Sequence, residues 1–221
     1  MKRTLVLAIG LLSLSLAAGS YAFEKKHEKA LATEAQPLGF TKTKSRFLDS
    51  VYLKPGVNFS EYTQLDFAPL DTSNIFIREP TGPNEFDEPW VLTDKDKAYL
   101  QQKYLETFTK ELIGSKRFNA ASGNAKTLQI KTTLQEIAPL APKDDIQSRP
   151  SISNYYSEGA GTMTMKMEIY DAQTNTLVGL IADEADVGNH WEENNRSNNR
   201  RQLGLTFTRW ADSLGVALGK K

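Results

Sequence analysis

Polar and apolar positions alternate from Tyr62 to Ala68, with Leu65 and Phe67 on one side and Gln64 and Asp66 on the other. That period of two is the mark of a strand with one buried face, and Pro69, which donates no ladder hydrogen bond, ends it or sets it at an edge. The period returns from Thr127 to Ile137 through Leu128, Ile130, Thr132 and Leu134. It returns again in MTMKMEIYDAQT, where Met163, Met165, Met167 and Ile169 alternate with Thr164, Lys166 and Glu168. Tyr170 to Asn175 then predicts a tight reversal, with Asp171 as a turn former, and Thr176 to Ala185 the returning strand of a hairpin. Two stretches carry helical spacing instead. Thr93 is placed to cap a helix with Asp94 and Asp96 in its first turn, Leu100, Tyr104, Leu105, Phe108 and Leu112 as its apolar face, and Gly114 at its end. Leu203, Phe207, Trp210, Leu214 and Leu218 predict a closing helix that lies against a sheet.

The order β-α-β-β-β-α predicts an α+β fold: an antiparallel or mixed sheet of about four strands with two helices packed on one face. Three polar connectors interrupt it, at 71–92, 141–158 and 187–199, and Trp90 is expected to pin the end of the first to the core. Residues 23–45 are mixed in charge. Their alanine, lysine and glutamate content suits a short helix around Glu24 to Glu34, but the apolar stripe is too thin to bury alone, so the segment reads as a flexible lead to a single domain at 46–221.

Composition adds a location. Lys2 and Arg3 precede an uncharged apolar run from about Leu5 to Ala18, and small residues follow at Ser20 and Ala22. This is the pattern of a signal peptide, residues 1–22, cleaved after Ala22; about 14 apolar residues fall short of the roughly 20 that span a bilayer. The chain contains no cysteine, so a disulfide, a thiolate metal site and a lipid-modified cysteine are excluded, and Phe23 stands where a lipoprotein would carry its anchor. A periplasmic protein with no transmembrane segment after cleavage is expected. Removing residues 1–22 takes two of the 27 basic residues and none of the 27 acids, leaving a net charge of −2, which does not steer the chain to nucleic acid.

The chemistry-bearing patterns are few. Three thioethers at alternate positions suggest a soft Cu(I) site, but Met163 and Met167 on a straight strand lie about 13 Å apart, too far to close on one ion. Core filling accounts for them fully, and no cofactor or metal is expected. Serine-elbow, zinc-protease and nucleotide-loop motifs are absent from the sequence. His190, with Glu192 and Glu193 beside it, is the candidate for a hydrolase or small-ligand enzyme; the bland alternative is a solvated histidine on a polar connector. Arg196, Arg200 and Arg201 read as a basic turn at the start of the last helix, or as a shallow anion site for a lipid headgroup or acidic partner. Tyr155, Tyr156 and Trp191 extend this into a candidate contact surface, with catalytic residues expected to be none.

The segments KPGVNFSEY at 54–62, TDKDKAYL at 93–100 and MEIYDAQT at 167–174 resemble a bacterial family of lipoprotein-like proteins, domain of unknown function 3313. The resemblance covers about residues 46–218. It implies an envelope location and no catalytic residues, and the missing cysteine departs from the lipoprotein pattern. The expected function is a non-catalytic binding or accessory module of the bacterial cell envelope, with the His190 enzyme and copper handling through Met163, Met165 and Met167 as alternatives.

Overall fold

The periodic stretches form the elements their spacing predicts, and the polar stretches between them add others. The computed structural model describes residues 25–80, 86–122, 126–142 and 156–220; the leader at 1–22 and Tyr155 lie outside them. In chain order the elements are α1 (Lys26–Ala35), β1 (Thr41–Thr43), β2 (Ser50–Leu53), β3 (Gln64–Phe67), β4 (Phe76–Ile77), α2 (Asp94–Phe108), β5 (Asn119–Ala120), β6 (Thr127–Pro139), β7 (Tyr156–Glu158), β8 (Gly161–Asp171), β9 (Thr176–Asp186), β10 (Trp191–Glu193) and α3 (Arg196–Ala217).

Eight strands make one mixed sheet in the order β1-β2-β9-β8-β6-β3-β5, with β4 also paired to β6; β7 and β10 form a separate two-stranded ribbon. The β8–β9 hairpin is antiparallel and closes where Asp171 Oδ1 accepts the N–H groups of Gln173 and Thr174, with Asn175 left-handed at φ 52°. Strands β3 and β4 run parallel to β6, and such pairing needs a crossover, which α2 supplies. The helix starts with a capping box between Thr93 and Asp96 and runs on through a wider π-helical turn to Gly114.

This corrects the expected four-strand β-α-β-β-β-α arrangement. Strands β1, β4, β5, β7 and β10 have two or three residues each, too few to show a period. β2 is buried at three of its four positions, so it does not alternate. Helices α2 and α3 do share one face: Tyr104 meets Phe108 at 4.4 Å and Phe207 edge-on at 6.0 Å between ring centroids, and its hydroxyl bonds Thr132 Oγ1 at 2.8 Å. Met163, Met165 and Met167 belong to this core with Phe108 and Trp210, at 3%, 0% and 0% exposure.

A third helix covers the opposite face. The stretch expected to be a flexible lead holds α1, whose Leu31 and Ala35 are buried against Tyr52, Leu180 and Ala182. Its thin stripe suffices because β9 is apolar on both faces at that point: Ile181 joins the core under α3, while Leu180 and Ala182 face α1. Polar contacts fix the helix in place. Asp49 Oδ2 accepts from Lys25 Nζ at 3.0 Å, from the N–H of Glu184 at 3.0 Å, and lies 2.8 Å from His27 Nε2; Lys166 bonds Glu34 at 2.7 Å.

Candidate functional site

Strand β6 ends, β8 begins and β9 ends at the same edge of the molecule, through the pairs Pro139–Gly161 and Thr162–Asp186. The N-terminal halves of α2 and α3 meet over that edge and leave a cleft of about 450 Å³. Each polar connector contributes to its wall: Trp90 and Leu92 from the first, Ala141 and Pro142 from the second, Val187 and Asn194 from the third. Trp90 is part-buried against the core, as expected of a loop anchor, and its N–H donates to Glu79 Oε1 at 2.6 Å.

Helical spacing decides which side chains reach the cleft. On α3, Arg196, Asn199, Arg200 and Leu203 line it, at positions i, i+3, i+4 and i+7, a single helical face. On α2, Lys95, Tyr99 and Gln102 do the same at i, i+4 and i+7. Leu100, Ile137, Met163, Val187 and Leu203 line the cleft yet are all more than nine-tenths buried, so they form its floor, while Lys95, Arg196 and Arg200 are exposed and stand at its rim. The Arg200 guanidinium stacks over the Tyr99 ring at 4.4 Å, a cation–π contact that joins the two helices across the mouth. Asp96 also lines the cleft, but its carboxylate is engaged in the capping box, 2.6 Å from Thr93 Oγ1 and 3.0 Å from the Thr93 N–H.

A polar network, not a solvated loop, holds the third connector. Asn195 Oδ1 caps α3 by accepting the Asn198 N–H at 2.9 Å. Asn199 Nδ2 donates to Asn194 Oδ1 at 2.8 Å, Asn194 Nδ2 to Ser157 Oγ at 2.8 Å, and Ser157 Oγ to the Gly159 carbonyl at 2.6 Å. Glu192 takes hydrogen bonds from Arg201 at 2.5 Å and Gln202 at 2.6 Å, which ties the β7–β10 ribbon to α3. At the base of the ribbon, Gly159 has φ 79°, and a Cβ on it would sit 2.4 Å from the Gly188 carbonyl oxygen, so the close approach of the two backbones requires a glycine there; Gly188, at φ 91°, would press a Cβ against the Gln202 side chain.

The site residues expected from sequence therefore separate. Arg196 and Arg200 line the cleft. Arg201 is held by Glu192. Tyr156 and Trp191, 54% and 73% exposed, lie on the outer face of the ribbon, away from the residues that line the cleft. His190 is exposed, receives the Gly159 N–H on its backbone carbonyl, and makes no side-chain hydrogen bond among the described residues. Sequence reading missed Lys95, Tyr99, Asn194 and Asn199. For Asn199 the signal was the spacing from Arg196 to Leu203, which puts it with the arginines on the stripe that reaches the core; for Lys95 and Tyr99 it was the i, i+4, i+7 spacing with Gln102, and Asn194 had none.

His27, Glu28 and Asp49 hold ligand-type atoms within 4.8 Å of one another. The group is already neutralised from within: Lys25 sits 3.0 Å from Asp49, Lys42 3.6 Å from Glu28, and Ser50 Oγ bonds Glu28 at 3.4 Å. Burial works to raise the Asp49 pKa, but the Glu184 N–H, Lys25 and His27 outweigh it and hold the carboxyl below its ordinary value. Its role is to lock α1 to β2 and β9. Asp183 is shifted the other way. Burial raises its pKa, although its two oxygens accept from the Trp210 indole at 2.7 Å and the Asp49 N–H at 2.9 Å.

No described helix is long and apolar enough to cross a membrane. No curated protein matches the sequence. Among solved structures, the chain is similar to the PelC dodecamer of Paraburkholderia phytofirmans, at 8% identity and a TM-score of 0.34 over 72% of this chain and 96% of that one. It is similar to the protein XCC0632 of Xanthomonas campestris at 11% identity and 0.39, over 74% and 86%. A PDZ domain protein of Parabacteroides distasonis gives 13% identity and 0.36, over 83% and 40%. Likenesses this distant assign no role. The model of the family described as protein of unknown function DUF3313 matches residues 36–214, and the chain belongs to that family.

Proposed function

We propose that this protein is a non-catalytic binding module of the bacterial cell envelope, exported by its N-terminal leader, whose working surface is the cleft between α2, α3 and the end of the sheet. One observation carries the reading: three connectors far apart in sequence contribute to the wall of a single cleft, whose size suits a small ligand or the side chains of a partner. The basic start, apolar run and small residues of the leader support export. Among the described residues the polar side chains that line the cleft are those of arginine, lysine, asparagine, glutamine, Tyr99 and Thr162, with the carboxylate of Asp96 tied to the helix cap, and no described hydroxyl of the lining is paired with a base. His190 does not line the cleft, and the methionine sulfurs are core filling, so neither the hydrolase nor the copper alternative gains an observation in its favour.

Native mass spectrometry of the mature chain after exposure to an envelope extract tests this. A specific bound species is expected, lost when Ala160→Trp fills the cleft and kept in His190→Ala. An unliganded wild-type chain, or a species indifferent to Ala160→Trp, overturns the proposal.

A further inference from the structure

The cleft combines two kinds of wall, and the combination restricts what fits. Its floor is apolar, formed by Leu100, Ile137, Met163, Val187 and Leu203, each more than nine-tenths buried. Among the described residues the rim brings the cations Lys95 and Arg200, beside an Arg196 that has a partner of its own, and the carboxylate of Asp96, which is already committed to the capping box. Among the described residues neither Lys95 nor Arg200 has a carboxylate partner. Arg200 is nonetheless held at the mouth, because its guanidinium lies over the Tyr99 ring at 4.4 Å. A positioned guanidinium at the lip of an apolar slot is complementary to an anion attached to a hydrocarbon body, since the charge-assisted hydrogen bonds form at the rim and the tail displaces water from the floor.

We infer that the occupant is a single-chain amphiphile with a carboxylate or phosphate head, its chain on the floor of the cleft and its head at Arg200, with Lys95 also on the rim. The inference rests on the cleft being the binding surface, as proposed above, and adds the chemistry of the ligand. A carboxylate and a phosphate share the recognising chemistry, a planar or tetrahedral oxyanion against a guanidinium. A cationic head is repelled by the same rim. A neutral head of equal chain length keeps the floor contacts and loses those of the rim.

Calorimetric titration of the mature chain, below the micelle concentration, separates these cases with dodecanoate, dodecyl phosphate, dodecanol and dodecyltrimethylammonium. The two anions are expected to bind at least about tenfold more tightly than dodecanol, and the cation more weakly than the alcohol. Arg200→Gln, an exposed substitution whose folding is checked by its melting temperature, is expected to remove about tenfold from the anions and nothing from dodecanol; raising the salt acts in the same direction. Dodecanol binding as well as dodecanoate, with Arg200→Gln without effect, overturns the inference and leaves the cleft reading intact. No binding by any of the four, together with indifference to Ala160→Trp in the extract experiment, overturns both. Vesicles of phosphatidylglycerol form the last arm: association with vesicles but not with monomeric dodecanoate means a bilayer surface is the target and rejects a single-chain ligand.

Discussion

Individual side chains here carry consequences that their type alone does not announce. Asp183 is a carboxylate between two N–H donors, the Trp210 indole and the Asp49 amide. Asp183→Asn turns one acceptor into a donor facing a donor, so it is expected to lower stability by about 1–3 kcal/mol in urea unfolding, although it removes a buried charge. Gly159 makes the parallel point for the backbone. Gly159→Ala places a methyl against the Gly188 carbonyl at a left-handed φ, and is expected to cost more than about 1 kcal/mol and to loosen the β7–β10 ribbon, visible as faster amide exchange at Ser157 and Glu192. Neither effect is legible in sequence. Asp183 reads as one of an adjacent acidic pair, and Gly159 as part of a glycine-rich strand opening, until the chain brings Trp210 and Gly188 to them.

Among the elements, α1 is the one whose attachment depends most on charge. Asp49 is held below its ordinary pKa, so its contribution is fully present above the unfolded value, near 3.9, and is lost as pH falls through the folded value. Acidification below about pH 4 is therefore expected to release α1 before the rest of the fold opens, measured as amide exchange in residues 26–35 against β8. Asp183 runs the opposite way: its raised pKa favours the protonated form, a contribution present below the unfolded value and lost as pH rises through the folded one. Asp49→Asn is expected to flatten the acid response of α1 at the expense of weaker docking at neutral pH. Leu31→Ala, which empties the apolar side of the same contact, is expected to cost about 2–3 kcal/mol of α1 attachment with little change in exchange across β6 and β8. The helix was visible in sequence as a run of helix formers. Its partner was not, because Tyr52, Leu180 and Ala182 come from two separate strands.

At the scale of the whole molecule the sheet is a wall with a complete helical layer on one side and a partial one on the other. A chain that begins at residue 41 is expected to keep the α2–α3 layer and to expose Tyr52, Leu180 and Ala182, binding more of a hydrophobic dye such as ANS than the full chain does. Dye binding equal to that of the full chain would show that α1 does not shield that face in solution. The cleft lies at the far end of α2 and α3 and contains none of these residues, so its ligand response should survive the truncation.

Sequence by itself determined the long elements. β6, β8, α2 and α3 each bury a stripe long enough for its period to be read, β9 follows as the return of the β8 hairpin, and the inward direction of Met163, Met165 and Met167 followed from strand alternation alone. It also determined the absence of any cysteine chemistry. Tertiary structure decided everything made by short segments or by convergence: the five strands too brief to have a period, the second covered face of β9, and the cleft. Arg196 and Arg200 were legible as a basic pair but not as a rim, because a rim exists only where a helix face, a strand end and three connectors meet. Hydrophobic periodicity records which side of an element is buried; what it is buried against is a property of contacts distant in the chain.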